Sequence, residues 1–196
     1  MRILRIPFST NVDRVALALG AKGLKATWVD VDPADRSAVV EISGQELVPV
    51  LVADDGEVVV DSTRILRRLE AQHPQPPLWP AEQPDRARAD VFVEWFDEVW
   101  KGPPNRIAAG APRPDDADRL RGWVDRFEAL LDGRDYLLGD FGVADVTAFP
   151  FLKYPVFGLP EGDDERFHAI LVEHQPLAGD SPLRPWAERV DARPRA

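Results

Sequence analysis

VPVLVADDGEVVVDSTRIL, Val48 to Leu66, sets two apolar runs, a polar turn and a helix start in one short stretch. Val48–Ala53 and Glu57–Val60 read as antiparallel strands joined across Asp54-Asp55-Gly56, because β-branched residues suit a pleated sheet and Asp-Gly suits a tight hairpin turn. Pro49 has no N–H to donate, so it belongs where strand pairing is interrupted. Ser62–Gln72 (STRILRRLEAQ) then continues at helical spacing.

Upstream, Arg2–Ile6 alternates like a half-buried strand, and Val12, Val15, Ala16 and Leu19 recur at helical spacing up to Gly20 and Gly23. Ala26–Val31 is a second strand, and Pro33 with Ala34 opens a short helix that fades near Ser43-Gly44. The order is βαβα followed by ββα, the thioredoxin-like arrangement, here assigned to residues 1–73. Downstream, His73–Pro84 (HPQPPLWPAEQP) holds five prolines and reads as a stiff linker over residues 74–84. Strand signals stop there, and residues 85–196 are expected to form an all-α domain. Asp85–Lys101, Asp116–Leu131, Asp163–Glu173 and Leu183–Ala192 carry helical patterns, GPPNRIAAGAPRPDD reads as a break, and the nearly continuous apolar run Asp145–Tyr154 is expected to be the buried central helix. The acidic pairs Asp115-Asp116 and Asp163-Asp164 read as helix starts and solvated faces, and Trp95 and Trp100 as core or subunit interface.

Composition excludes several functions. The chain has 196 residues and no cysteine, which removes disulfides, a thiolate nucleophile of its own and Cys-ligated metals. A net charge of −10 argues against a nucleic-acid or anionic membrane surface, which requires clustered Lys and Arg. No apolar run has the length of a signal peptide or a membrane span, so a cytoplasmic protein is expected. His73, His168 and His174 share no metal-ligand spacing, and no metal site is read.

The two halves and five motifs together resemble a cytosolic glutathione transferase. Ser9 stands five residues before Arg14, similar to the catalytic-serine motif of the phi, tau and zeta classes. Val48-Pro49-Val50-Leu51 resembles the family's VPxL segment, and Asp61-Ser62-Thr63-Arg64-Ile65-Leu66 its ESxxIL motif. Tyr136–Pro150 is similar to the stretch that begins the central helix, and Pro182–Pro194 to the closing helix. The resemblance implies a thioredoxin-like domain followed by an all-α domain, a homodimer, glutathione as cosubstrate with no permanently bound cofactor, and a detoxifying transfer of the thiol to an apolar electrophile held between the domains. It implies that Ser9 donates its hydroxyl hydrogen to the sulfur, with Thr10 as the alternative hydroxyl. Leu47, Val48 and Pro49 would line the peptide of glutathione, the proline being cis, while Asp61 and Ser62 would grip its γ-glutamyl end.

Physical chemistry supports a hydroxyl at this place. Moving a thiol from a pKa of about 8.5 to about 6.5 requires about 2.7 kcal/mol. A hydrogen bond to a charged acceptor supplies roughly 1.5–3 kcal/mol and a helix N-terminus roughly 0.3–1 more. Ser, Thr and Asn are equally the preferred N-caps of any helix. In the thiol-site reading, Thr10 and Asn11 are the expected caps and Ser9 the donor; Arg14 could steer the site's potential, but an Arg on the first turns of a helix is more often a solvated surface residue, and that is the expectation here.

Departures from the family pattern leave two further readings. Leu47 stands where Lys or Gln commonly reaches the glycine carboxylate, with Gln45 and Glu46 displaced upstream, which leaves the glycine end to Arg36 or to no residue; Arg64 replaces a small residue. A non-catalytic binding protein of the same fold, or a transferase using another thiol, fits these changes, and an isomerase or dehalogenase would use the same Ser9 site.

Overall fold

Four short strands, β1 (Arg2–Arg5), β2 (Thr27–Asp30), β3 (Val50–Val52) and β4 (Val58–Val60), pair in the order β2-β1-β3-β4 in a computed structural model that describes residues 1–196. β1 and β2 are parallel, as a helical crossover between them requires, whereas β3 runs antiparallel to both β1 and β4. Three helices complete this part: α1 (Thr10–Ala21), α2 (Ser37–Ser43) and α3 (Ser62–Gln72). Leu4, Ile6, Val31, Val39, Val50 and Val52 form a buried cluster, and Val15, Leu17 and Leu19 of α1 with Ile65, Leu66 and Leu69 of α3 are buried as well. The helix expected from Pro33 begins only at Ser37, because Asp32 and Asp35 turn the chain first by accepting from the N–H groups of Ala34 (2.8 Å) and Ser37 (3.0 Å).

The chain divides into two compact units, Met1–Leu78 with Arg193–Ala196, and Trp79–Ala192. The division falls inside the proline-rich segment, at two side chains that are both buried: Leu78 N donates to the Glu70 carboxylate, and Trp79 Nε1 donates to Asp90 Oδ1 at 3.0 Å. Lys22, at the end of α1, gives all three ammonium hydrogens to this segment and to α3. They go to Glu70 Oε2 (2.6 Å), His73 O (2.7 Å) and Pro76 O (3.0 Å). The last four residues, expected with the helical domain, belong to the first unit instead. Trp28 Nε1 donates to Ala196 O (2.9 Å), Arg195 pairs with Asp13 (2.9 Å), and the Pro194 carbonyl lies where a Cβ on Gly20 would collide with it.

The second unit is all helix: α4 (Asp85–Trp95), a π turn (Phe96–Trp100), α5 (Gly102–Ala108), α6 (Asp116–Leu130), α7 (Val143–Phe157), α8 (Arg166–His174) and α9 (Leu183–Asp191). The segment read as a break after Lys101 forms α5, because its two prolines fall in the first turn, where an N–H would have no partner. Every residue of α7 from Val143 to Leu152 is buried, as its apolar run predicts. Around it Phe96 stacks on Trp100 at 4.4 Å, and Phe151 meets both at 5.2 and 5.6 Å.

Buried acids knit this unit together. Asp145, wholly buried, accepts from Leu137 N (3.0 Å), Gly142 N (3.0 Å) and Trp186 Nε1 (2.8 Å), tying the start of α7 to the preceding loop and to α9. Gly142 has no side chain to return a bond, so the capping box is halved. Burial pushes the Asp145 carboxyl above its ordinary range, against these three donors. Asp116 and Asp163 are buried rather than solvated. Asp116 accepts two bonds from Arg106 and one from Arg113 N; Asp163 accepts from Tyr154 Oη and lies 2.8 Å from His168 Nδ1.

Candidate functional site

The sheet register decides which motifs can meet. Leu4 pairs with Val50 and Val50 with Val60, so the end of β1, the start of β3 and the end of β4 lie side by side. Ser9 follows β1, Val48-Pro49 precedes β3 and Asp61-Ser62 follows β4; three motifs far apart in sequence leave one end of one sheet. The other end, where Arg2 pairs with Val52 and Val52 with Val58, carries a cavity of about 300 Å³ lined by Met1, Leu51, Asp54, Arg68 and His73 among others, and none of the candidate residues.

Ser9 is itself the N-cap of α1. Its Oγ accepts from Val12 N at 3.4 Å, while Thr10 and Asn11 are already helical, which corrects the expectation that those two would be the caps. A serine oxygen has two lone pairs and one hydrogen, so capping leaves the hydrogen available to an anion. Ser9 is half-buried, whereas Thr10 is 6% exposed and turned into the protein.

Asp61 caps α3 through a 3.0 Å bond from Arg64 N and is otherwise exposed. Its φ is 75°, and that of Phe8 is 61°. These are the chain's two non-glycine residues with positive φ, a conformation that costs about 1–3 kcal/mol, and each immediately precedes one of the two motif serines. Phe8 keeps 39% of its surface exposed beside Ser9. No sequence signal marks it, since glycine or asparagine would be the usual choice for such a backbone.

The two helix starts are joined. Ser62, buried, donates from Oγ to Asn11 Oδ1 (3.4 Å) and accepts from Arg14 Nη1 (3.4 Å). Arg14 is completely buried, not on a solvated surface as expected. Its spacing from Ser9 marked the motif but did not reveal this use.

Val48-Pro49 is a cis peptide, with Pro49 buried and sheet pairing starting one residue later at Val50. Leu47 is 70% exposed, and its backbone is held by Gln45, whose amide accepts from Leu47 N (2.5 Å) and donates to Leu47 O (2.8 Å). Arg36 donates from Nη1 to Glu46 O at 3.3 Å, which brings its guanidinium to the same loop.

Comparison with known proteins follows the same lines. A family model described as glutathione S-transferase, N-terminal domain, matches residues 4–77. Maleylacetoacetate isomerase of Pseudomonas aeruginosa PAO1 is 34% identical over 161 residues, covering 74% of this chain and 76% of that one. Glutathione S-transferase GstB of Escherichia coli K12 is 28% identical over 145 residues, 65% of this chain and 69% of the other. Among solved structures, the tau-class transferase MiGSTU from mango aligns with a TM-score of 0.76 at 20% identity, covering 98% of this chain and 89% of that one. The beta-etherase LigF from Sphingobium sp. strain SYK-6 aligns with a TM-score of 0.78 at 22% identity, covering 98% and 95%. At such identities the last two establish the thioredoxin-like plus helical fold alone.

Proposed function

The chain belongs to the cytosolic glutathione S-transferase family, and on that premise we propose that it is a glutathione transferase in which the Ser9 hydroxyl donates to the bound sulfur and keeps it as thiolate. One observation carries this reading: the two strained backbones at Phe8 and Asp61 flank the two helix starts that share one end of the sheet. Strain held at both turns of a site and nowhere else among non-glycine residues fits preorganisation for a ligand.

Ser9 caps α1 with a lone pair and offers its hydrogen to the sulfur, and the helix N-terminus adds positive potential. The thiol proton leaves to solvent. The sulfur electron pair then forms a C–S bond with the electrophilic carbon, and the leaving group departs with its own pair. Asp61 pairs with the ligand ammonium, and the backbone N–H of Ser62 at the positive end of α3 receives the α-carboxylate, the Ser62 hydroxyl hydrogen being given to Asn11. The Val48 backbone pairs with the peptide, and Leu47 contributes its fixed backbone and an apolar edge. Arg36 takes the glycine carboxylate in place of the missing Lys or Gln. Thr10, turned inward, packs the turn, and the exposed Phe8 ring meets the apolar part of the electrophile.

A homodimer is part of the proposal, as is typical of the family. Sedimentation at micromolar concentration showing a 21.9 kDa species would reject it. The decisive experiment is calorimetric glutathione binding together with the ultraviolet thiolate signal against pH, for the native protein and Ser9→Ala. A native protein that takes up no glutathione at millimolar concentration overturns the reading. An unchanged thiolate pKa in Ser9→Ala reduces Ser9 to a cap.

The 34% identity to maleylacetoacetate isomerase supports a second reading, in which the same thiolate adds to a conjugated double bond and leaves again. Turnover of maleylacetoacetate without net loss of glutathione would select it.

A further inference from the structure

We infer that Arg14 is a positioning residue for the amino-acid end of the ligand, acting through Ser62; this deepens the glutathione reading and rests on it. The guanidinium is wholly buried on α1, and a charge so placed is costly unless it is bonded. Its Nη1 donates to Ser62 Oγ at 3.4 Å, and Ser62 Oγ donates onward to Asn11 Oδ1 at 3.4 Å. Both ends of this chain stand on α1, one turn apart, and its middle is the first residue of α3. Ser62 is thus bracketed from two successive turns of the helix whose cap is Ser9.

Apolar packing between α1 and α3 holds the two helices together, but it is tolerant of small slides. A bracket of directional bonds is not, and it fixes the first turn of α3 at one height relative to the first turn of α1. The consequence is a set separation between the sulfur held at Ser9 and the α-carboxylate held at Ser62. Arg14 also brings a positive charge behind the carboxylate subsite, whereas Ser9 and its bond from Val12 N lie outside the bracket.

The test is a four-member cycle of native, Arg14→Met, Ser62→Ala and the double variant, read by glutathione calorimetry, thiolate pKa and melting temperature. Arg14→Met is expected to weaken glutathione binding by about tenfold or more, the scale of a lost charge-assisted bond, while the thiolate pKa of the bound ligand stays at the native value. The double variant is expected to bind no more weakly than Ser62→Ala alone, because Arg14 acts through Ser62 and has nothing left to position once that hydroxyl is gone. Additive losses overturn the inference, as does native affinity in a folded Arg14→Met. A thiolate pKa that moves together with affinity assigns Arg14 to the sulfur and overturns it as well. Should Arg14→Met fail to fold, Arg14→Lys replaces it in the same cycle. If the native protein binds no glutathione, the functional reading falls first and the inference with it.

Discussion

Two aspartates stand at helix N-termini, Asp61 ahead of α3 and Asp145 in the first turn of α7, and each accepts a backbone N–H bond. Asp145 is buried, receives three donors and rests on relaxed backbone; Asp61 is exposed, receives one, and sits at a φ of 75°. A cap that serves only the fold has no need of strain, and a carboxylate that serves only the fold has no need of water. The contrast extends to whole units. The first carries 11 acidic and 11 basic residues and the second 23 and 13, so the net charge of −10 belongs to the helical unit alone. The unit bearing the candidate site is neutral, and at that site Arg14 is buried while Asp61 is exposed.

The largest effect should fall on Asp145. Asp145→Ala strands three buried donors and should cost about 3–5 kcal/mol, lowering the melting temperature by about 10 °C or more. A loss below about 1 kcal/mol would place Asp145 with Asp61 and dissolve the distinction between them. Next comes Ser9→Ala, which should raise the pKa of bound glutathione by about 1–2 units for about 1 kcal/mol of lost capping. Asp61→Asn keeps a cap and tolerates positive φ, so stability should stay within about 0.5 kcal/mol, while calorimetry should find glutathione bound about tenfold more weakly. Native affinity in the Asp61→Asn protein would make Asp61 a cap like any other.

The smallest effect is a pH dependence inside the helical unit, and its sign differs between two buried acids. Arg106 holds the Asp116 carboxyl below its ordinary range, so its contribution is present above about pH 3.9 and fades as pH falls through the lowered value. Burial holds Asp145 above that range, so its contribution is full below about pH 3.9 and fades as pH rises through the raised value. Urea titrations of Asp116→Asn against the native protein should therefore converge as the pH drops below about 4.

Much of the fold was legible because pattern and punctuation agree: two apolar β-branched runs flank Asp-Gly between Val48 and Val60, Asp145–Tyr154 is nearly continuous apolar, and Pro74–Pro84 separates the two patterns. The motifs marking one end of the sheet were legible as well, since register follows from the hairpin. Local composition misled where long-range partners decide. Arg14 looks like a surface residue until Ser62, distant in sequence, is brought beside it. Asp116, which does open α6, and Asp163 look like solvated acids until Arg106 and His168 claim them. Phe8 could not be read at all, because its backbone is imposed on it by the turn rather than chosen by its side chain.

The anchoring of Lys22 has a practical consequence. Its side chain has no exposed surface and its ammonium group is divided among Glu70, His73 and Pro76, while Lys25, three residues on, is exposed. Amine-directed acylation followed by mass spectrometry should modify Lys25 at once and leave Lys22 untouched until the junction between Gln72 and Leu78 comes undone. The ratio of label at these two lysines is then a built-in gauge of that junction, readable in any variant made to test the site.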